Sequence, residues 1–249
     1  YTWQDVQTVG NLSSSRNISN FKYTTKYADF NEDVLHRSIY SREHTFNFVA
    51  NYTKYFFDNH PTIFTFVGAA VSGEPFSYTF GNYKDGALWG LDKDSTRDAT
   101  AAFYVPNGDV NIPSWFQSDF DSYIEAAGLS GYAGGFAPIN GFETDWNYRL
   151  DFKLTQEFPG LGLTDKDKFV LTFDVENLLN LIDSEYGRQT KASNSDRSIA
   201  EALPVSLGDG NFTYEYRPAY GMSLGKVDNE VTNYYRSLYR IQLGFKYMF

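Results

Sequence analysis

The sequence predicts an all-β fold: the C-terminal part of an antiparallel transmembrane β-barrel, with about six strands in this chain joined by long extracellular loops. Three observations predict it. From Tyr239 to Phe249 every odd position is large and apolar, while the even positions are Arg240, Gln242, Gly244, Lys246 and Met248. Side chains alternate across a strand with period two, so one face is greasy and the other mostly polar, over a length that crosses a bilayer when tilted. Aromatic residues make up 18% of the chain while mean hydropathy is −0.45. That combination is expected when only every second residue faces acyl chains and aromatic girdles mark both interfaces. Finally, the connections alternate between short turns and long loops, the layout of a barrel with its long loops outside the cell.

Taken in order, Trp3 to Val9 reads as a weakly patterned strand, followed by a long link over roughly 10–35. Phe46, Phe48, Ala50 and Tyr52 then alternate with Asn47, Val49, Asn51 and Thr53. Asp58-Asn59-His60-Pro61 is a tight turn, and Thr62 to Phe80 is one further, less cleanly alternating strand. A long link covers 81–144. Trp146, Tyr148, Leu150, Phe152 and Leu154 alternate with Asn147, Arg149, Asp151, Lys153 and Thr155. Charges at Arg149, Asp151 and Lys153 would be costly inside a soluble core and cost little facing a lumen. After a short Gly- and Asp-rich turn from Pro159 to Lys168, Phe169, Leu171, Phe173 and Val175 alternate with Val170, Thr172, Asp174 and Glu176. A long link over 183–233 precedes the last strand and holds one more candidate strand, Asn211 to Tyr216. Six strands do not close a membrane barrel, whose smallest form has about eight. Residues 1–249 are therefore read as the C-terminal portion of a larger barrel domain, with Tyr1 starting mid-strand and earlier strands expected outside this sequence.

Within 81–144, Trp115, Phe116, Phe120, Tyr123, Ile124 and Ala127 fall at helical spacing. A short amphipathic helix is expected there, capped by Ser114 and ended by Gly128. Trp89, Trp115, Phe116 and Tyr123 are the candidate ligand contacts, because exposed aromatics suit protein, peptide or carbohydrate surfaces.

Several functions are disfavoured. No run of 18 apolar residues provides a transmembrane helix. With no cysteine there are no disulfides, thiolate metal sites or cysteine nucleophiles, and a net charge of −10 argues against nucleic-acid binding. Asp92-Lys93-Asp94-Ser95-Thr96-Arg97-Asp98 begins like a calcium loop, but Arg97 and Phe103 stand where an EF-hand needs Gly and Glu. His36, His44 and His60 have no clear ligand neighbours, so neither a metal nor another cofactor is expected. No nucleotide-binding or nucleophile-elbow motif appears, and Gly208-Asp209-Gly210 is more simply a turn, so an enzyme is not expected.

The stretch containing Arg149-Leu150-Asp151-Phe152 and Gln156-Glu157-Phe158-Pro159-Gly160, followed by the strand ending in Asn177-Leu178-Leu179-Asn180, resembles the penultimate strand pair of TonB-dependent outer-membrane receptors of the Oar-like group. Phe120 to Asn140 is similar to a loop of that group, although Tyr132-Ala133-Gly134 and Ile139-Asn140 lack the arginines its pattern carries. The resemblance covers about half the chain. It implies a barrel of about 22 strands in the outer membrane of a Gram-negative bacterium, filled by an N-terminal plug that lies outside this sequence. It implies TonB, with the ExbB–ExbD motor, as partner through that missing region, and outer-membrane lipid and lipopolysaccharide as surroundings. The function implied is uptake of a siderophore, carbohydrate or peptide. Arg149, Asp151, Lys153 and Asp174 would then face the lumen and touch the plug, while Asn177 and Asn180 have a structural role. The alternatives are an outer-membrane adhesin or structural barrel, and a soluble all-β carbohydrate-binding domain.

Overall fold

Period-two alternation builds the long strands, and the register between them decides which faces meet. The computed structural model describes residues 1–10, 15–16, 24–27, 32–81, 101–164, 166–192, 196–219, 230–232 and 234–249. Two short strands, β1 (Thr2–Trp3) and β2 (Gln7–Thr8), open the chain, and β2 pairs with β3 (His36–Arg37). β4 (His44–Phe57) and β5 (His60–Val71) form a long hairpin. Its turn is Asp58-Asn59, where Asn59 adopts φ 61°, a left-handed conformation asparagine tolerates. The middle of the chain holds β6 (Pro75–Phe80), β7 (Tyr104–Val105), α1 (Ser114–Ala126), β8 (Gly135–Phe136) and β9 (Phe142–Glu143). A second long hairpin follows, β10 (Asn147–Pro159) and β11 (Lys168–Glu176), and then α2 (Leu178–Ile182). The remainder is β12 (Thr190–Ala192), β13 (Asp196–Gly208), β14 (Asn211–Pro218), β15 (Glu230–Thr232), α3 (Tyr234–Ser237) and β16 (Arg240–Met248).

The fold is predominantly β, in two regions. The first is a wall: one antiparallel sheet in the order β1-β4-β5-β10-β11-β16. Its register aligns like with like. Phe152 lies opposite Phe66 on one side and Val175 on the other, and Val175 lies opposite Ile241. One face therefore carries Phe46, Phe48, Tyr52, Phe64, Phe66, Leu150, Phe152, Leu154, Leu171, Phe173, Leu243 and Phe245, crossed toward the short-turn end by a polar row of Lys54, Thr62 and Gln156. Aromatic pairs run across it, Phe66 with Phe152 at 5.0 Å and Phe169 with Phe245 at 5.2 Å. The other face carries Asn47, Asn51, Thr65, Arg149, Asp151, Lys153, Asp174, Glu176, Arg240 and Gln242.

The second region is a cap, and it holds the core. Its main sheet runs β14-β13-β6-β9, with β6 and β13 parallel. Phe76, Tyr78 and Phe80 of β6 pack with Phe103, Phe116, Phe120, Leu129, Ile199 and Tyr216 in a continuous buried cluster. Helix α1 ends in a Schellman motif: the N–H of Leu129 donates to the carbonyl of Ile124 at 2.9 Å and that of Gly128 to Glu125 at 3.0 Å. Gly128 adopts φ 70°, which glycine accepts without strain.

Four expectations are corrected. Thr62 to Phe80 is not one strand: the chain bends at Ser72-Gly73-Glu74, and β6 leaves the wall for the cap. Gly73 permits the bend, since a Cβ there would stand 1.7 Å from the carbonyl oxygen of Thr144. Trp3 to Val9 likewise splits, β1 pairing with β4 and β2 with β3. Ser114 does not cap α1: it is the first helical residue, and the carbonyl of Pro113 accepts from the N–H of Phe116 and Gln117. Over their described parts the links at 81–144 and 183–233 fold against each other. The strand expected at Asn211 to Tyr216 exists as β14, but it pairs with β13 in the cap and adds nothing to the wall. As expected, Asp209 and Gly210 form its turn, both at positive φ.

Candidate functional site

The candidate site is the charged face of the wall and the corner that joins it to the cap. Because β10 and β11 pair Lys153 with Asp174, their charges fall on one side and within reach of each other. Lys153 Nζ lies 3.1 Å from Asp174, Arg149 Nε lies 2.9 Å from Asp151, and Arg149 Nη2 lies 3.9 Å from Glu176. Arg240 on β16 extends the ladder, 3.6 Å from Glu176, and Lys168 meets Glu157 at 2.8 Å near the opposite end. All four charges expected on one face, Arg149, Asp151, Lys153 and Asp174, share it. Glu176 and Arg240 were not singled out from sequence. Glu176 continues the period-two series after Asp174, and Arg240 joins only through the β11–β16 register.

Half-exposed ion pairs of this kind contribute about 0–1 kcal/mol each. They do little for stability, but they present alternating charge to whatever approaches that face.

Asp151 does a second job. Its carboxylate accepts the N–H of Asn177 at 2.8 Å, fixing the corner that follows β11. Asn177 is buried in a left-handed conformation, φ 54°. Its amide donates to the carbonyls of Gly187 at 2.9 Å and Ser237 at 2.7 Å, stitching three segments together. Asn180 donates to the carbonyls of Ser184 and Tyr186. Both asparagines satisfy backbone groups, the structural role their motif suggests.

Comparisons with protein-family models, with curated proteins and with solved structures find no match. The site is therefore weighed on its own geometry.

The aromatic candidates separate. Trp89 and the segment 92–98 lie outside the described residues. Trp115 is 64% exposed, whereas Phe116 and Tyr123 are buried on the inner side of α1. Phe116 packs edge-on against Phe120 at 5.6 Å. Phe116 and Tyr123 are core side chains and offer no free ring to a ligand, so of the described candidates only Trp115 faces outward.

In the cap, Tyr104 donates to Asp109 at 2.6 Å, which holds that carboxyl below its usual range and raises the phenol. Burial pushes the Tyr216 phenol well above its ordinary value, and its hydroxyl donates to the carbonyl of Tyr104 at 3.2 Å. Tyr247 of β16 donates to Asp167 in the β10–β11 turn and holds that carboxyl below its usual range. Among the described residues no three histidine, aspartate or glutamate side chains gather as a metal site. Asp119 and Asp121 both belong to α1, and Glu143 is tied to Arg37.

Proposed function

We propose that this chain forms part of the wall and cell-surface cap of a bacterial outer-membrane β-barrel that takes up a ligand with energy from TonB. One observation carries the reading: the wall has a broad apolar face, and among the described residues nothing like a core lies behind it. No residue of that face belongs to the buried cluster, and Leu243 and Phe245 are 70% and 68% exposed. Leaving each such side chain in water forfeits about 1.5–3 kcal/mol, and acyl chains would remove that cost. The sheet is also open at both edges among the described residues. β1 covers only Thr45 and His44 of β4, and β16 pairs on one side alone. Further strands of the same barrel would satisfy those backbone groups.

In this reading the charged face lines the lumen, where Arg149, Asp151, Lys153 and Asp174 give a plug a polar contact that breaks and re-forms at little cost. TonB would act through a region outside this sequence. The cap would lie outside the cell with Trp115 on its surface, and the ligand class stays open among siderophore, carbohydrate and peptide. The full-length protein should fractionate with outer membranes and require detergent. Accumulation of candidate nutrients should fall in a strain lacking TonB. A protein soluble and monomeric without detergent would end the barrel reading in favour of a soluble carbohydrate-binding domain. Equal accumulation with and without TonB would leave a passive barrel or adhesin.

A further inference from the structure

The sequence holds two Asn-Gly pairs, Asn107-Gly108 and Asn140-Gly141, and the cap treats them in opposite ways. A glycine, having no Cβ, leaves its backbone nitrogen open to approach by the preceding side chain. Two groups decide whether that approach happens. The asparagine amide must be free to turn over the backbone, and the glycine N–H must be unengaged.

At Asn140 both groups are held. The residue is 1% exposed. Its amide oxygen accepts from the Ser77 hydroxyl at 3.0 Å, and its amide nitrogen donates to the carbonyl of Arg37 at 2.7 Å. Its own N–H donates to Ser77 Oγ at 2.8 Å, and the Gly141 N–H donates to the carbonyl of Pro138 at 3.2 Å.

At Asn107 both groups are free. The pair is exposed, in the bend between β7 and Asn111. Among the described residues neither the Asn107 side-chain amide nor the Gly108 N–H has a hydrogen-bond partner. The amide lies beside Gly134, where a Cβ would stand 3.9 Å from Nδ2 and its absence leaves the amide room to turn. The rest of the bend is fastened, because the Asp109 carboxylate accepts the Asn107 N–H at 2.8 Å and the Tyr104 hydroxyl at 2.6 Å.

We infer that Asn107-Gly108 is a self-modifying site of the cap, where Asn107 converts spontaneously to aspartate and isoaspartate. The Gly108 nitrogen attacks Cγ of Asn107. A bond forms between them, the Cγ–Nδ2 bond breaks, and the amide nitrogen leaves as ammonia with the proton of the Gly108 N–H. Water then opens the cyclic imide at either carbonyl. Opening at Cγ leaves aspartate, and opening at the main-chain carbonyl leaves isoaspartate, with the chain routed through the former side chain. Water is the sole co-reactant. Either product puts a second carboxylate near that of Asp109. Isoaspartate also inserts a methylene between β7 and Asn111, whose carbonyl accepts the N–H of Tyr216 on β14 at 2.9 Å. Nothing in this chemistry depends on the wall or its surroundings.

The test ages the full-length folded protein, held in detergent, in mildly alkaline buffer that favours loss of the Gly108 amide proton. Peptides carrying each pair are followed by mass spectrometry, with the isoaspartate form separated by chromatography. In the folded protein Asn107 should convert at least about tenfold faster than Asn140, equivalent to about 1.4 kcal/mol between the two barriers. In the same chain unfolded by urea the two rates should converge, since both pairs are then free. N107Q should lose the isoaspartate signal from its peptide and leave Asn140 as slow as before. Equal rates in the folded protein, or conversion of Asn107 that begins only on unfolding, overturns the proposal and leaves the barrel reading untouched. A difference that persists in urea overturns it too, because flanking residues rather than the cap would then set the rates.

Discussion

The wall and the cap use the same residue types and stand in opposite relations to their surroundings. Phe116 in the cap is 0% exposed and Phe245 in the wall 68%. In the cap, aromatic side chains from β6, α1, β14 and the segment before β7 converge on one another, and burial of their own surfaces holds the region together. In the wall, the same chemistry is spread over one side of a single layer, so neighbouring rings touch side by side across strands, and among the described residues nothing covers them. The difference teaches that the cap contains the reason for its own stability, whereas the described residues do not cover the wall's apolar face.

The largest expected effect tests the cap. Phe116→Ala should cost about 3–5 kcal/mol through the cavity it leaves. Hydrogen exchange should then accelerate in β6 and β13 while β10 and β11 keep their protection. Equal loss in both regions would mean that the wall leans on the cap after all. The next tests the wall. Leu243→Arg should cost about 2–4 kcal/mol in a bilayer, and Gln242→Arg, on the charged face, close to nothing. Equal costs at the two positions would remove the distinction between the faces.

The smallest effect concerns Tyr216. Its phenol is raised in the folded cap, so the stability it contributes is complete below the ordinary value of 10 and is lost as pH climbs above that value. Alkaline titration should therefore loosen the cap before the wall. Tyr216→Phe should abolish this contribution to the pH dependence at a cost of about 0.5–1.5 kcal/mol for the lost bond to the Tyr104 carbonyl. An identical alkaline response in wild type and variant would place the sensitivity elsewhere.

The wall was largely legible because its information is local. Alternation from Trp146 to Thr155 and from Phe169 to Glu176 states which side chains share a face, and the short turns state which strands are neighbours. The charges at Arg149, Asp151, Lys153 and Asp174 could be grouped from that alone. The cap was not legible, because β6 and β13 meet across nearly half of the chain and neither shows a clean period. Helix α1 was visible from its spacing, yet spacing does not say which aromatics are inside. Trp115 and Phe116 are adjacent in sequence, and only the strands packed on α1 separate an exposed ring from a buried one. The row in which Tyr1, His44, Trp146 and Tyr148 stack each on the next was hidden for the same reason, since it draws on three strands.

The parallel pairing of β6 with β13 also sets an order of assembly. The β4–β5 and β10–β11 hairpins can each zip outward from a short turn, closing small loops at low entropic cost. β6 sits directly after the first hairpin, and of its two neighbours β9 follows in the same link while β13 arrives only after the second hairpin and α2. β6 can therefore meet 101–103 and β9 first, while its edge toward β13 waits until nearly half of the chain more has been made. Slowing the arrival of β13 should therefore lengthen the interval in which that edge of β6 can pair with another chain.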